Sequence, residues 1–186
     1  MEASITFKAI GKTFRGNILL ADLSFGVEKG STFVIVGENG AGKSVVLKLL
    51  VGLIEKDTGM AYIHGKDIST RSDEIRSITG YMPQTIDLDD ELTVLENLEI
   101  FGRLHGLSSK DASTNALDWA ERLNFKNNLS RMPQDLSYGN KRIVQFARAL
   151  VHDPQVIILD EPTKGLDPHS RTKVWDILDK LHQDKT

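Results

Sequence analysis

Thr32-Phe33-Val34-Ile35-Val36-Gly37-Glu38-Asn39-Gly40-Ala41-Gly42-Lys43-Ser44 is the stretch on which the reading of this chain turns. Thr32–Val36 is an uninterrupted β-branched and aromatic run, so it predicts a strand. A glycine-rich loop follows, and a helical pattern begins at Lys43. Gly37, Gly42, Lys43 and Ser44 stand at the spacing of a complete phosphate-binding loop. Its glycines let the backbone curl, so that successive N–H groups point at phosphate oxygens. The loop opens a helix, whose N-terminal end favours anions. In such a loop Lys43 reaches the β- and γ-phosphates and the Ser44 hydroxyl binds Mg²⁺.

Before this stretch, Ile5–Ile10 and Ile18–Val27 read as strands around a turn at Phe14–Gly16. After it, Met60–His64 and Ile78–Met82 are short strand candidates. The character then changes. Leu95, Leu98, Phe101 and Leu104 recur at helical spacing, and Thr93 with Glu96 fits a capping box. A second helix fits Lys110–Leu123, with Leu117, Ala120 and Leu123 on one face. A third fits Lys141–Val151 and stops at Asp153-Pro154. Gln155–Asp160 is an apolar strand ending in acid. Pro168 opens a last helix carrying Val174, Ile177, Leu178 and Leu181 on one face. The expected organisation is therefore a phosphate-loop and antiparallel β portion over 1–84, a helical subdomain over 85–140, and a closing α/β portion over 141–186. No linker-like stretch separates them.

Composition sets the outer bounds. A chain of 186 residues buries about 70% of the surface its unfolded form exposes. A formal charge of −3 gives no basic footprint for nucleic acid. The absence of cysteine excludes disulfides and thiolate metal sites. No signal peptide is apparent, and apolar runs such as Val156–Leu159 are far too short to span a bilayer. The expected setting is a soluble, reducing compartment. The histidines show no metal-ligand spacing and are assigned no chemistry.

Two further motifs narrow the function. Val156–Leu159 followed by Asp160-Glu161 is an apolar strand whose acids emerge at its carboxyl end, where open α/β sheets bind ligands. There Asp160 is suited to Mg²⁺, and Glu161 to polarising an attacking water. Leu136-Ser137-Tyr138-Gly139-Asn140 precedes the Lys141–Val151 helix, so Ser137 and the N–H groups near Gly139 form a second anion-favouring helix start. On residues alone, an ordinary helix cap by Ser137 is the stronger reading of that segment. Arg142 and Arg148 on the same helix read as solvated or partner-facing charges.

From Phe14 to Asp167 the chain resembles the ATP-binding cassette family, the ABC ATPases. Leu136–Asn140 looks like the family's signature loop, usually Leu-Ser-Gly-Gly-Gln, with departures at Tyr138 and Asn140. Tyr at the first glycine position is tolerable if that position needs no positive φ. Gln84, after Tyr81-Met82-Pro83, resembles the Q-loop glutamine that orders Mg²⁺ and water. Gly165-Leu166-Asp167 resembles the D-loop. Phe14 matches the aromatic that stacks on adenine, although a strand-end core Phe is the plain alternative.

The resemblance implies an α/β fold: a P-loop NTPase core with an N-terminal antiparallel β portion and an inserted helical subdomain. It implies ATP and Mg²⁺ as ligands. Gly37, Glu38, Asn39, Gly40, Ala41, Gly42, Lys43, Ser44 and Val45, with Phe14, form one side of the nucleotide site, and Ser137 and Gly139 of a second cassette close the other. Ser44, Gln84 and Asp160 are the expected metal ligands, and Glu161, Gln84 and Lys43 the catalytic set. The implied function is ATP hydrolysis powering a membrane transporter, an exporter by its Leu92–Leu98 segment. A separate transmembrane permease subunit and a second cassette are the expected partners, at the cytoplasmic face of the membrane, without nucleic acid. The alternatives are a soluble ABC ATPase acting on ribosome or DNA, and a nucleotide-binding piece unable to hydrolyse. The family's switch histidine and its strand have no counterpart before Thr186, and His182 is no substitute. The chain is therefore expected to be a piece of a longer protein.

Overall fold

In the computed structural model, which describes residues 3–38, 40–70 and 72–181, the chain divides into two units, one running to Thr79 and one over Gly80–Leu181. The first is built on β1 (Ala3–Phe14) and β2 (Asn17–Glu28), both longer than the sequence pattern predicts. They are joined at Arg15-Gly16, with φ of 49° and 81°, the left-handed pair that matches strand twist in a tight hairpin. β3 (Thr58–Ile63) and the short β4 (Lys66–Asp67) complete an antiparallel sheet in the order β2-β1-β3-β4. Alternation along β1 buries Ile5 and Phe7, a register shift between Phe7 and Ile10 returns Ile10 to the core, and Phe7 stacks on Phe25 of β2 at 4.7 Å. Helix α1 (Lys43–Leu50) buries Val46, Leu49 and Leu50.

Two features of this unit depart from expectation. Thr32–Val36 is no strand; it is irregular, and Phe33, Val34 and Val36 are 50%, 70% and 87% exposed. β-propensity expresses packing against neighbouring strands rather than a backbone preference, and this segment joins no ladder among the described residues. Helix α2 (Ser72–Ile78) was not expected. At two turns it is too short for periodicity to declare itself, although Asp73 and Glu74 in its first turn suit the helix dipole.

β5 (Thr79–Met82), which belongs to the second unit from Gly80 onward, pairs with β6 (Val156–Leu159). Helix α3 (Val94–Leu104) starts at the expected capping box: Thr93 Oγ1 accepts from the Glu96 N–H, and the Glu96 carboxylate accepts from the Thr93 N–H. α4 (Ser109–Arg122) is capped by Ser108, and α6 spans Pro168–Leu181. Leu98, Ala120, Leu123 and Val174 are core residues as their spacing predicts, but Leu104 and Leu117 are exposed. Helix α5 (Tyr138–Leu150) begins three residues before the expected start, at its Ser137 cap. Every residue from Arg142 to Leu150 is buried, so α5 is the central element of this unit's core.

Arg142 and Arg148 are the clearest corrections. Neither is a solvated or partner-facing charge: they are 0% and 8% exposed. A helix apolar on most sides is surrounded by protein, and its polar side chains then persist by satisfying buried backbone carbonyls.

Candidate functional site

The phosphate-binding loop lies in the first unit. Gly42 has φ of 85° and precedes α1 without any side-chain cap, and α1 has no acidic residue in its first turn. The positive end of the helix is thus left unneutralised, which suits an anionic ligand. A Cβ on Gly42 would lie 3.0 Å from the Leu19 carbonyl oxygen and 3.1 Å from Leu20 Cδ2 of β2. Strand β2 and the loop therefore approach at a place where a side chain has no room. Lys43 folds back over the loop, donating from Nζ to the carbonyls of Gly37 at 2.6 Å and Glu38 at 2.7 Å. Two neutral acceptors hold an ammonium over the loop, an arrangement that phosphate oxygens satisfy better because they carry charge. A turn bond from the Ala41 N–H to the Glu38 carbonyl shapes the loop. Gly37, Glu38, Gly40 and Ala41 are exposed, while Ser44 and Val45 are half-buried at the helix start. Asn39 lies outside the described residues, as does His182. Phe14 is 57% exposed at the hairpin end, with the Arg15 guanidinium 5.3 Å from its ring centre; it is not a core residue.

The second unit brings Gln84, Asp160 and Glu161 together from positions far apart in the chain. Apolar β6 delivers Asp160, 6% exposed, whose N–H bonds the Met82 carbonyl at 2.9 Å. Glu161 follows with φ of 50°. A left-handed non-glycine residue costs about 1–2 kcal/mol, and such strain gathers at functional positions. Gln84 Nε2 donates to Glu161 Oε2 at 3.0 Å, and Lys164 Nζ pairs with the same oxygen at 2.7 Å. Tyr81, beside them on β5, has its phenol pushed up to about 12 by burial and by the Asp160 and Asp87 carboxylates, so it stays protonated at neutral pH.

A layer of side chains from α5 underlies this arrangement, and sequence reasoning missed it. Arg142 Nη1 donates to the carbonyls of Pro83 at 2.8 Å and Gln84 at 3.0 Å, and to Gln145 Oε1 at 3.1 Å. Its Nη2 donates to the carbonyls of Glu161 at 2.7 Å and Asp160 at 3.4 Å. Burial draws the guanidinium pKa down, while the Asp160, Glu161 and Asp87 carboxylates oppose that. Gln145 Nε2 donates to the Thr85 carbonyl and to Asp87 Oδ1, both at 2.7 Å. Arg148 donates to the Asp87 carbonyl at 2.8 Å, pairs with the Asp87 carboxylate, and lies over the Phe101 ring. The available signal was the three-residue spacing of Arg142, Gln145 and Arg148, which places them on one helix face. Lys164, three residues after Glu161, was missed as well.

In the signature-like loop, Ser137 Oγ accepts from the Asn140 N–H at 3.3 Å and caps α5. Tyr138 has an ordinary helical φ, so the position needs no glycine. Its ring lies on Gly165, where a Cβ would come within 2.4 Å of Tyr138 Cε1. Gly139 faces the same stretch: its Cβ position is 3.9 Å from the Gly165 carbonyl oxygen. The signature-like and D-loop-like segments thus meet within one unit.

The model of the family described as ABC transporter matches residues 20–164. Similar relatives include a Nod factor export ATP-binding protein I of Burkholderia lata, 39% identical over 179 residues, covering 96% of this chain and 59% of the relative. The protein of the same name from Mesorhizobium japonicum is 37% identical over 178 residues, covering 96% and 52%. The chain thus spans somewhat over half the length of these relatives. Among solved structures, the ATP-binding subunit of an ABC transporter superposes with a TM-score of 0.88 at 28% identity, covering 96% of this chain and 74% of that one. A dimeric ATP-binding cassette in a post-hydrolysis state, bound to ADP and Pi, superposes at 0.89 with 26% identity, covering 97% and 85%. The fold is that of a P-loop ABC ATPase core, and the chain belongs to the ABC transporter family.

Proposed function

We propose that this chain is the ATP-binding and ATP-hydrolysing part of a subunit that powers an ABC exporter. The observation that carries the reading is the hydrogen bond from Gln84 to Glu161 at the carboxyl end of β6. An exposed carboxylate oriented by an amide, on a strained turn beside a buried aspartate, suits the positioning of an attacking water. In this reading the backbone of Gly37, Glu38, Asn39, Gly40, Ala41, Gly42, Lys43, Ser44 and Val45 wraps the triphosphate, and Lys43 exchanges its two carbonyl partners for phosphate oxygens. Phe14 offers a stacking face to adenine, which its exposure supports. Ser44, Gln84 and Asp160 hold Mg²⁺, a cation that takes one or two protein carboxylate ligands beside phosphates and water. When bound there, the ion would supply charge neutralisation at the phosphate oxygens. Glu161 orients the water and accepts its proton.

Phosphoryl transfer is mostly positioning and electrostatics, so a complete site needs donors on every side of the phosphates. Ser137 and Gly139 of a second cassette supply the far side, consistent with the dimeric cassettes among similar solved structures. No described helix is long and apolar enough to cross a membrane; in this reading a separate transmembrane subunit carries the transport path, and this chain sits on the inner membrane face. The relatives named for Nod factor export favour export. The Lys164–Glu161 ion pair gives a second reading its footing: a cassette that binds ATP but turns it over slowly, because its carboxylate is engaged by a cation.

Nucleotide binding and steady-state MgATP hydrolysis should be measured for the parent protein, Lys43→Ala and Glu161→Gln. Hydrolysis by the parent is expected, with Lys43→Ala losing affinity and turnover, and Glu161→Gln keeping affinity but losing turnover. Binding without hydrolysis by the parent selects the second reading. A folded parent that binds no nucleotide refutes both.

A further inference from the structure

Arg142 is fully buried, yet it carries five hydrogen bonds, four of them to backbone carbonyls of two separate segments. Nη1 serves Pro83 and Gln84, and Nη2 serves Asp160 and Glu161. The two nitrogens of one planar fork thus join the backbone of the residue that donates the Gln84–Glu161 hydrogen bond to the backbone of the residue that accepts it. Helix α5 anchors the fork, and Gln145 fixes it from the side through Oε1 while tying down the Thr85 carbonyl. The Glu161 carbonyl that Arg142 grips belongs to a residue at φ of 50°. Buried polar groups are costly unless satisfied, so a charged fork spent on main-chain carbonyls defines a geometry rather than a binding surface.

We infer that Arg142 is a positioning residue for hydrolysis: it fastens the Gln84 loop to the Glu161 turn, so that the amide of Gln84 and the carboxylate of Glu161 meet at hydrogen-bond distance. This rests on the roles proposed above for Gln84 and Glu161. Arg142 is fully buried and acts through them. A lysine keeps the charge but lacks the planar fork, so it cannot serve both segments in the same geometry.

The test compares Arg142→Met, Arg142→Lys, Gln84→Ala and the Arg142→Met/Gln84→Ala double variant with the parent. It measures KM, kcat, affinity for a fluorescent ATP analogue, and amide hydrogen exchange over 83–87 and 160–164. For Arg142→Met, kcat should fall about tenfold or more with KM and affinity nearly unchanged. Exchange should rise in both segments and not along α5. Arg142→Lys should recover part of the rate. The double variant should be no slower than the slower single, because both changes break the same contact. An unchanged kcat overturns the inference, as does an affinity that falls in step with kcat, or exchange that rises throughout the unit. Should Arg142→Met fail to fold, Arg142→Lys decides, and an undiminished kcat there overturns it. A folded parent that binds and hydrolyses nothing defeats the functional reading instead; the fastening then stands on a rise in exchange confined to the two segments, and falls without one.

Discussion

Replacing Gly42 by alanine separates two costs that the phosphate loop imposes on its sequence. At φ of 85° an alanine pays about 1–2 kcal/mol for the left-handed conformation. Its Cβ would also sit 3.0 Å from the Leu19 carbonyl oxygen and 3.1 Å from Leu20 Cδ2. The first of these is backbone in a paired strand, and Leu20 is buried, so neither yields freely. Contacts of that length call for a shift of a few tenths of an ångström, near the lower end of overpacking costs, about 1 kcal/mol. Reduced entropy of the unfolded chain returns about 0.4–1 kcal/mol. The net destabilisation is then about 2 kcal/mol, or about 4–8 °C in Tm for a chain of this size. Gly40 is the internal control. Its φ is 86°, and a Cβ there meets nothing within 4 Å among the described residues, so Gly40→Ala keeps the conformational cost without the contact, about 1 kcal/mol. Thermal unfolding of parent and both variants, followed by circular dichroism, reads the difference. A Gly42→Ala shift no larger than that of Gly40→Ala refutes the idea that β2 crowds the loop.

Gln84→Ala removes the bond to Glu161 and should lower kcat about tenfold with little change in KM; a kcat within about twofold of the parent discards that role for the bond. Thr93→Ala removes the cap of α3 and should cost about 1 kcal/mol near pH 7 by urea unfolding. The hydrogen bonds from Thr93 hold the Glu96 carboxyl below its ordinary pKa, so that part of the stability is present above about pH 4.5 and is lost as pH falls through the lowered value. The gap between parent and Thr93→Ala should therefore narrow on acidification, and a gap that widens contradicts the capping box. Gly80→Ala would place a Cβ 2.1 Å from the Ala149 carbonyl oxygen and 2.8 Å from Pro154 Cγ. It should lower stability by about 3 kcal/mol, and a parent-like Tm would show that β5 does not lie against the end of α5 as described.

Chemistry written in contiguous residues is legible in the sequence alone. The phosphate loop, the acidic end of β6, the Thr93–Glu96 box and the Ser137 cap each depend on spacing over a few positions, and local spacing survives in sequence. The helices α3, α4, α5 and α6 are legible for the same reason, within a few residues at their ends. What tertiary structure decided lay at long range. Thr32–Val36 has the composition of a strand, yet a strand exists only where a neighbour supplies the ladder, and composition does not name the neighbour. Arg142 and Arg148 have the composition of a surface, yet a helix buried on all sides turned them inward, where carbonyls from segments far along the chain satisfy them. Gln84 and Glu161 are each nameable from their motifs. Their hydrogen bond, and the buried guanidinium that joins their backbones, arose from the way α5, β5 and β6 come together. A charged side chain is drawn to water or to buried acceptors according to what surrounds it, and those surroundings are assembled by folding from residues a linear reading keeps apart.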